Sequence, residues 1–331
     1  MKIAHLISSK IFAGIEQHVY ELASNMTNVS EQVIICDEAI REEMQGMQTV
    51  SLNIGSRYSP INTYKLIKYL KENNISILHC HGAKASTIGK GVKYFSKVKI
   101  VVTIHGHKKN NKAFTKIDAV IGVNRNLIKD ISNGSYISNW YNPSHSGQTS
   151  TRDGPIIAVG RLEKVKGFDL LIKSWVNINQ DLEIIGSGPE EKNLHQLISN
   201  FSLGEKISIV TDCNYNSLQE KYKNASGLII SSLREGGPRV LLEAINHEIP
   251  VLGTKVGMME DLVINELLSE PNNQESLQML LEEMIPMLPQ LNMEAVKKAL
   301  IENYSITVAR KKFRKFMLIY LKQVYKHQEL N

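Results

Sequence analysis

Short runs rich in Ile and Val alternate with helically spaced segments along this chain, and the alternation stops once and then restarts. In the first half the runs lie at 2–7, 32–36, 75–80, 98–104 and 118–123, with helical spacing over Ile15–Met26, Ile61–Leu70 and Ala83–Phe95. Strand-like runs separated by helices predict a parallel sheet with right-handed crossovers. From Pro143 to Pro155 no large apolar side chain occurs, and this stretch reads as a linker. Beyond it, strands are predicted at 155–159, 182–185, 206–210, 227–231 and 249–253, and helices at 168–177, 189–200 and 239–247. Pro286 and Pro289 mark a break between helices. A last helix is predicted over Ile306–Tyr325, its basic segment 310–315 leading into the apolar 316–321. A length of 331 residues suits two such α/β domains.

Composition removes several classes. With 42% hydrophobic residues the chain is not disordered or low-complexity. Cys36, Cys80 and Cys213 form no C-x-x-C pair, which argues against a disulfide framework or a zinc knuckle and fits a reducing cytoplasm. No apolar run approaches the length of a membrane span, and the N-terminus reads as a buried strand, so the expectation is a soluble cytoplasmic protein. The net charge of +6 is uneven: residues 1–150 hold 18 Lys/Arg against 10 Asp/Glu, residues 151–331 hold 21 against 23. Between Lys84 and Lys129 eleven basic residues face one acid, Asp118. A field of that size usually meets an anion: nucleic acid, anionic lipid or a phosphorylated acceptor.

Ligands of parallel sheets bind beyond the C-terminal strand ends, so the residues there carry the candidate chemistry. After the first run, Gly14 precedes a helix, an arrangement that lets backbone approach an anion. His79, His81 and Gly82 follow another run, and His105, Gly106 and His107 a third. No carboxylate accompanies these histidines at ligand spacing, so they are expected to line a cleft or serve structure, with no metal. In the second half Gly160 and Arg161 end a strand, and Lys166 and Gly167 close the loop. The two cations could converge on one anion. After 228–231 come Glu235, Gly236, Gly237, Pro238, Arg239, Val240 and Glu243. Pro238 suits the first turn of a helix, and the two glutamates could accept hydrogen bonds from sugar hydroxyls.

These segments resemble those of family 4 glycosyltransferases. Glu235 through Glu243 is similar to the family's E-x7-E motif, and His247 through Leu252 to the strand that follows it, with His247 at a customary small residue. Gly160, Arg161, Lys166 and Gly167 resemble its G-R-(x)4-K-G loop. Gly14 to His18, which includes Glu16, resembles the G-G-x-E-x-H first loop, with Ala13 replacing a glycine. Ile104-His105-Gly106 resembles the acceptor-domain histidine segment, and Asn139-Trp140 stands where Asn-Gly is usual. Thr211 occupies a usual glycine position, and Pro238 removes an amide other members have.

The resemblance implies the α/β GT-B fold, two Rossmann-like parallel-sheet domains facing a central cleft. It places an acceptor-binding domain at 1–147, a nucleotide-sugar domain at 148–305, and a C-terminal helix at 306–331 returning toward the first. It implies retaining transfer of a hexose or N-acetylhexosamine from a nucleotide-sugar, expected to be UDP-linked, to a lipid-linked or polysaccharide acceptor in lipopolysaccharide, capsule or related synthesis. Arg161 and Lys166 would neutralise the diphosphate, Glu243 would hold the ribose and Glu235 the donor sugar. Gly14, Gly160, Gly236, Gly237, Arg239 and Val240 would line the donor, with His105 near the reacting carbon. Glu16, His18, His79, His81 and Lys84 would face the acceptor. The chain has no D-x-D, so Arg and Lys would replace a metal and no cofactor is expected. Residues 84–129 would hold the protein against anionic membrane at the inner face. A nucleotide-sugar epimerase of the same fold is the enzymatic alternative. A nucleic-acid-binding role is disfavoured because the basic region lacks interleaved stacking aromatics.

Overall fold

The computed structural model describes residues 1–54, 56–106, 114, 116–141 and 152–326, with side chains through 319. It divides into two compact units, Met1–Asn139 joined by the helix from Ile306, and Trp140–Ser305. The linker predicted between Pro143 and Pro155 falls largely outside the described residues, as does His107. The division lies at 139/140 rather than 147 because Tyr141 is buried in a core cluster of the second unit. Its N–H also donates to Tyr304 O at 3.0 Å.

In the first unit, strands β1 (Lys2–Leu6), β2 (Glu31–Ile35), β3 (Thr49–Val50), β4 (Ile77–His81), β5 (Lys99–Ile104), β6 (Ala119–Gly122) and β7 (Gly134–Tyr136) form a parallel sheet in the order β3-β2-β1-β4-β5-β6-β7. Helices α1 (Gly14–Met26), α2 (Pro60–Glu72) and α3 (Gly82–Phe95) make the crossovers, and the C-terminal helix Ile306–Lys326 packs against α1. Central strands are buried on both faces, which is why they read as continuous Ile/Val runs. Ala13, the departure from the first-loop glycine, has extended backbone at φ −145°, a conformation open to any residue. In α3, Ile88 and Val92 are buried in the core, while Tyr94 and Phe95 at its C-terminal end are exposed.

The second unit repeats the plan. Strands β8 (Ile156–Val159), β9 (Leu182–Ile185), β10 (Ile207–Val210), β11 (Gly227–Ile230), β12 (Val251–Thr254) and β13 (Leu268–Ser269) are ordered β10-β9-β8-β11-β12-β13. Around them stand α4 (Phe168–Lys173), α5 (Glu191–Asn200), α6 (Tyr215–Asn224), α7 (Arg239–Asn246), α8 (Met259–Leu262), α9 (Gln274–Met284) and α10 (Glu294–Tyr304). The Pro286/Pro289 break appears as a 3-10 turn, Ile285–Gln290, between α9 and α10. In both sheets the strand order reverses at one point, β1/β4 and β8/β11, where such sheets open a crevice for ligands.

Candidate active site

At the β8/β11 reversal, two loops are fastened together. Gly167 has φ +66°, and a Cβ there would stand 2.1 Å from Ser231 O, so only glycine lets the first loop lie on the end of β11. Leu233 N–H donates to Val165 O at 2.8 Å, and Ser231 Oγ donates to Lys166 O at 2.9 Å. The result brings Lys166 Nζ to 2.5 Å from Glu235 Oε1, and Ser232 Oγ donates to the same oxygen at 2.9 Å. Gly160 lies under the lysine stem, 3.1 Å from Lys166 Cε if it carried a Cβ. Gly236 and Gly237 continue the loop from Glu235 toward α7. Arg161 does not join this group. Its guanidinium is 58% exposed and pairs with Glu163 at 3.0 Å, so each cation holds its own carboxylate instead of converging.

Pro238 stands one residue before α7, capping it from extended backbone, not in its first turn as expected. Arg239 and Val240 open the helix, and Glu243 accepts a hydrogen bond from Tyr222 OH at 3.1 Å. Tyr222 is fully buried and stacks on His247, with ring centroids 5.6 Å apart. Burial, then the Glu243 charge, pushes its phenol well above the usual range, so it stays a donor. We expect Tyr222→Phe to cost about 1–2 kcal/mol, lowering the melting temperature by about 2–8 °C. Thermal unfolding checks this, and an unchanged melting temperature would show that the hydroxyl does not support Glu243.

The sequence reading missed Ser232, Tyr222 and the Gly186–Gly188 turn after β9. For the turn a signal existed, since Ile185-Gly-Ser-Gly-Pro189 follows a strand just as Gly160 does. Tyr222 lies on α6, whose sequence is too polar to register as a packed helix.

The first unit gathers five histidines near the β1/β4 reversal. His5 Nδ1 lies 3.2 Å from His81 Nε2, His5 Nε2 2.8 Å from Gln32 Oε1, and His79 Nε2 2.7 Å from Thr103 Oγ1. His81 Nδ1 is 3.4 Å from His105 Nε2, and the His18 ring meets His105 edge-on at 4.6 Å. Burial lowers the His5 imidazole to about 4 and holds His79 and His81 well below the ordinary range, so these rings are neutral. Of the acceptor-side candidates, His18, His79 and His81 are core side chains; His105, expected near the reacting carbon, is half-buried. Glu16 is buried, and its carboxylate accepts from Ala13 N–H at 3.1 Å, capping its own helix because α1 begins there without a side-chain cap on Ala13. Gly14 and Lys84 lie in the first turns of α1 and α3.

Two family models match the chain. "Glycosyltransferase Family 4" covers residues 12–133 and "Glycosyl transferases group 1" residues 146–299, so together they span most of both units. The chain belongs to the family 4 glycosyltransferases. An uncharacterized glycosyltransferase of Methanocaldococcus jannaschii is 26% identical over 324 residues, 88% of each chain. The amylovoran biosynthesis glycosyltransferase AmsD of Erwinia amylovora is 33% identical over 100 residues, 29% of this chain and 28% of AmsD. Among solved structures, Anabaena HepE in complex with UDP and glucose superposes with a TM-score of 0.83 at 14% identity, covering 96% of this glycosyltransferase and 99% of HepE. That likeness gives the fold as GT-B. Among the described residues no helix is long and apolar enough to cross a membrane.

Proposed function

We propose that this glycosyltransferase moves a hexose or N-acetylhexosamine from a UDP-sugar to a hydroxyl of a lipid-linked or polysaccharide acceptor, with retention at the anomeric carbon. The observation that carries the reading is the Lys166–Glu235 pair at the strand-order reversal of the second unit. A cation and a hydroxyl-binding carboxylate there match a diphosphate joined to a sugar. As the glycosyl bond breaks, charge grows on the departing diphosphate, and a fixed ammonium stabilises that state more than the bound substrate. Arg161, on an exposed and mobile-length side chain, would leave Glu163 for the diphosphate when the donor binds. Glu243, oriented by Tyr222, would take the ribose hydroxyls. Gly160, Gly236, Gly237, Arg239 and Val240 would line the donor.

The UDP assignment is supported by the neighbour solved with UDP and glucose, and the glycan acceptor by the AmsD likeness. In this reading the transfer uses no metal at the diphosphate, because side-chain cations supply the charge. The protein would work at the inner face of the cytoplasmic membrane, in lipopolysaccharide, capsule or related synthesis. Tyr94 and Phe95, 64% and 76% exposed beside Lys93 and Lys97, would rest on anionic lipid. Asp118 pairs with Lys93 at 3.0 Å and Lys99 at 3.9 Å, which tempers the field there. Residues 107–113 and 115 of the basic stretch lie outside the described residues.

A thermal-shift panel of UDP-, GDP- and ADP-sugars tests the donor. At about a hundredfold excess over Kd the matching nucleotide-sugar should raise the melting temperature of its unit by about 5–10 °C. Proton NMR of the product should show the donor's anomeric configuration retained, with turnover unchanged when magnesium is left out. No shift with any nucleotide-sugar, or an inverted product, would overturn the proposal.

A further inference from the structure

We propose that His5, His79 and His81 bind a zinc ion in the first unit, through His5 Nδ1, His79 Nδ1 and His81 Nε2. The fold brings them together without any sequence spacing that announces it. His5 pairs in register with His79 across β1 and β4, and His81 is two residues along β4, so all three rings share one face of the sheet. The expectation of no metal rested on the lack of a carboxylate at ligand spacing from the histidine pairs after two strands. The third ligand, His5, comes from the neighbouring strand β1. A ring nitrogen of each lies within 4.8 Å of the others, and the rings are 0–2% exposed. His5 Nδ1 and His81 Nε2 are 3.2 Å apart. Tetrahedral zinc with Zn–N bonds of about 2.0–2.1 Å sets its ligand nitrogens about 3.3 Å apart.

The outward nitrogens make the stronger case. Histidine ligands almost always donate their other N–H to an acceptor, which fixes tautomer and ring orientation. Here His5 Nε2 faces Gln32 Oε1, His79 Nε2 faces Thr103 Oγ1 and His81 Nδ1 faces His105 Nε2. The Gln32 amide is itself oriented, because its Nε2 donates to Ser30 O at 3.0 Å and to Ser30 Oγ at 2.6 Å. With all three protons outward, three lone pairs point inward. Hydrogen bonds alone explain the cluster less well. They leave His79 Nδ1, fully buried, without a partner among the described residues, whichever tautomer it takes.

Imidazole donors select a borderline ion of the zinc type over magnesium, so this site is distinct from any metal at a diphosphate. Three histidines leave a fourth position for water. Zinc on His81 Nε2 would also make His81 Nδ1 a donor to His105 Nε2, and a neutral His105 would then carry its proton on Nδ1. The metal would thereby set the tautomer of His105. The binding itself does not depend on the transfer reaction.

The test uses the untagged full-length chain, stripped with chelator and titrated with zinc sulfate by calorimetry. One zinc per chain is expected, with His5→Gln and His79→Gln each weakening binding by at least about tenfold and His18→Gln leaving it within about twofold. Binding that survives His79→Gln but is lost in His18→Gln would move the ion to His18, His81 and His105 and overturn the assignment. So would a stripped wild-type chain that takes up no zinc at micromolar concentration. Because a core substitution can unfold the unit, circular dichroism precedes each titration. Ring-15N spectra of the wild type supply a readout that needs no variant. Zinc should shift His5 Nδ1, His79 Nδ1 and His81 Nε2, and unmoved resonances would refute the site.

Discussion

Lys166→Ala should lower kcat by about 10²–10³-fold at saturating donor while the second unit remains folded. The size follows from when the charge is needed. In the bound donor the diphosphate is already anionic, but the leaving group gains further charge as the anomeric bond breaks. A cation fixed by its backbone is worth most at that moment. The fixing is visible, since Ser231 Oγ and Leu233 N–H hold the loop on β11 and Gly160 admits the lysine stem. Folding should survive because the pair is only partly buried, with the lysine side chain 23% exposed, and such pairs add little stability. Lys166→Arg should not restore full rate, since a planar fork cannot take the place of a compact ammonium over Gly160.

Glu235→Ala sharpens the assignment. If Lys166 acts on the diphosphate and Glu235 on the sugar, each single variant loses rate and the double variant loses less than the product of both. Steady-state kinetics of the four proteins measure this. Near-normal turnover in both single variants would sink the donor-site assignment, and a fully multiplicative double variant would separate the two residues functionally.

Most of the predicted strands were legible because their central residues are buried on both faces, leaving Ile/Val runs; β10, with Ser208 exposed, was legible from Ile207, Ile209 and Val210. β3, β7 and β13 were not, since runs of two or three residues such as Thr49–Val50 carry no period. The α6 helix was hidden by its polarity, and with it Tyr222. At the site, glycines and charged residues at strand ends stood out, but their partners did not. Lys166 and Glu235 are 69 residues apart, and only strand order makes them neighbours. Arg161 and Lys166 looked paired by proximity in sequence, yet Lys166 turns inward over Gly160 while Arg161 faces outward to Glu163. The histidines show the same limit. His79 and His81 were visible as an alternating pair, but His5 gains meaning only from the β1/β4 register.

Gly186→Ala should destabilise the second unit by about 3 kcal/mol or more, lowering its melting temperature by about 6–12 °C, and should weaken donor binding with it. Gly186 has φ +146°, which side chains rarely adopt, and a Cβ would stand 2.0 Å from Gly160 O. Neither partner can move cheaply. Gly186 N–H donates to Val210 O at 2.9 Å, Gly160 N–H to Ile185 O at 3.0 Å, and Leu162 N–H to Ser187 O at 2.9 Å. The clash therefore pushes the Gly160–Leu162 segment off β9, and that segment leads directly into the loop bearing Lys166. Gly204→Ala is the matched control, because no atom lies within 4 Å of its Cβ position, and it should leave stability within about 0.5 kcal/mol. Thermal unfolding of the two variants, with and without UDP-sugar, separates backbone packing from a general effect of glycine replacement. Equal melting temperatures would mean that the turn after β9 does not hold the lysine loop in place.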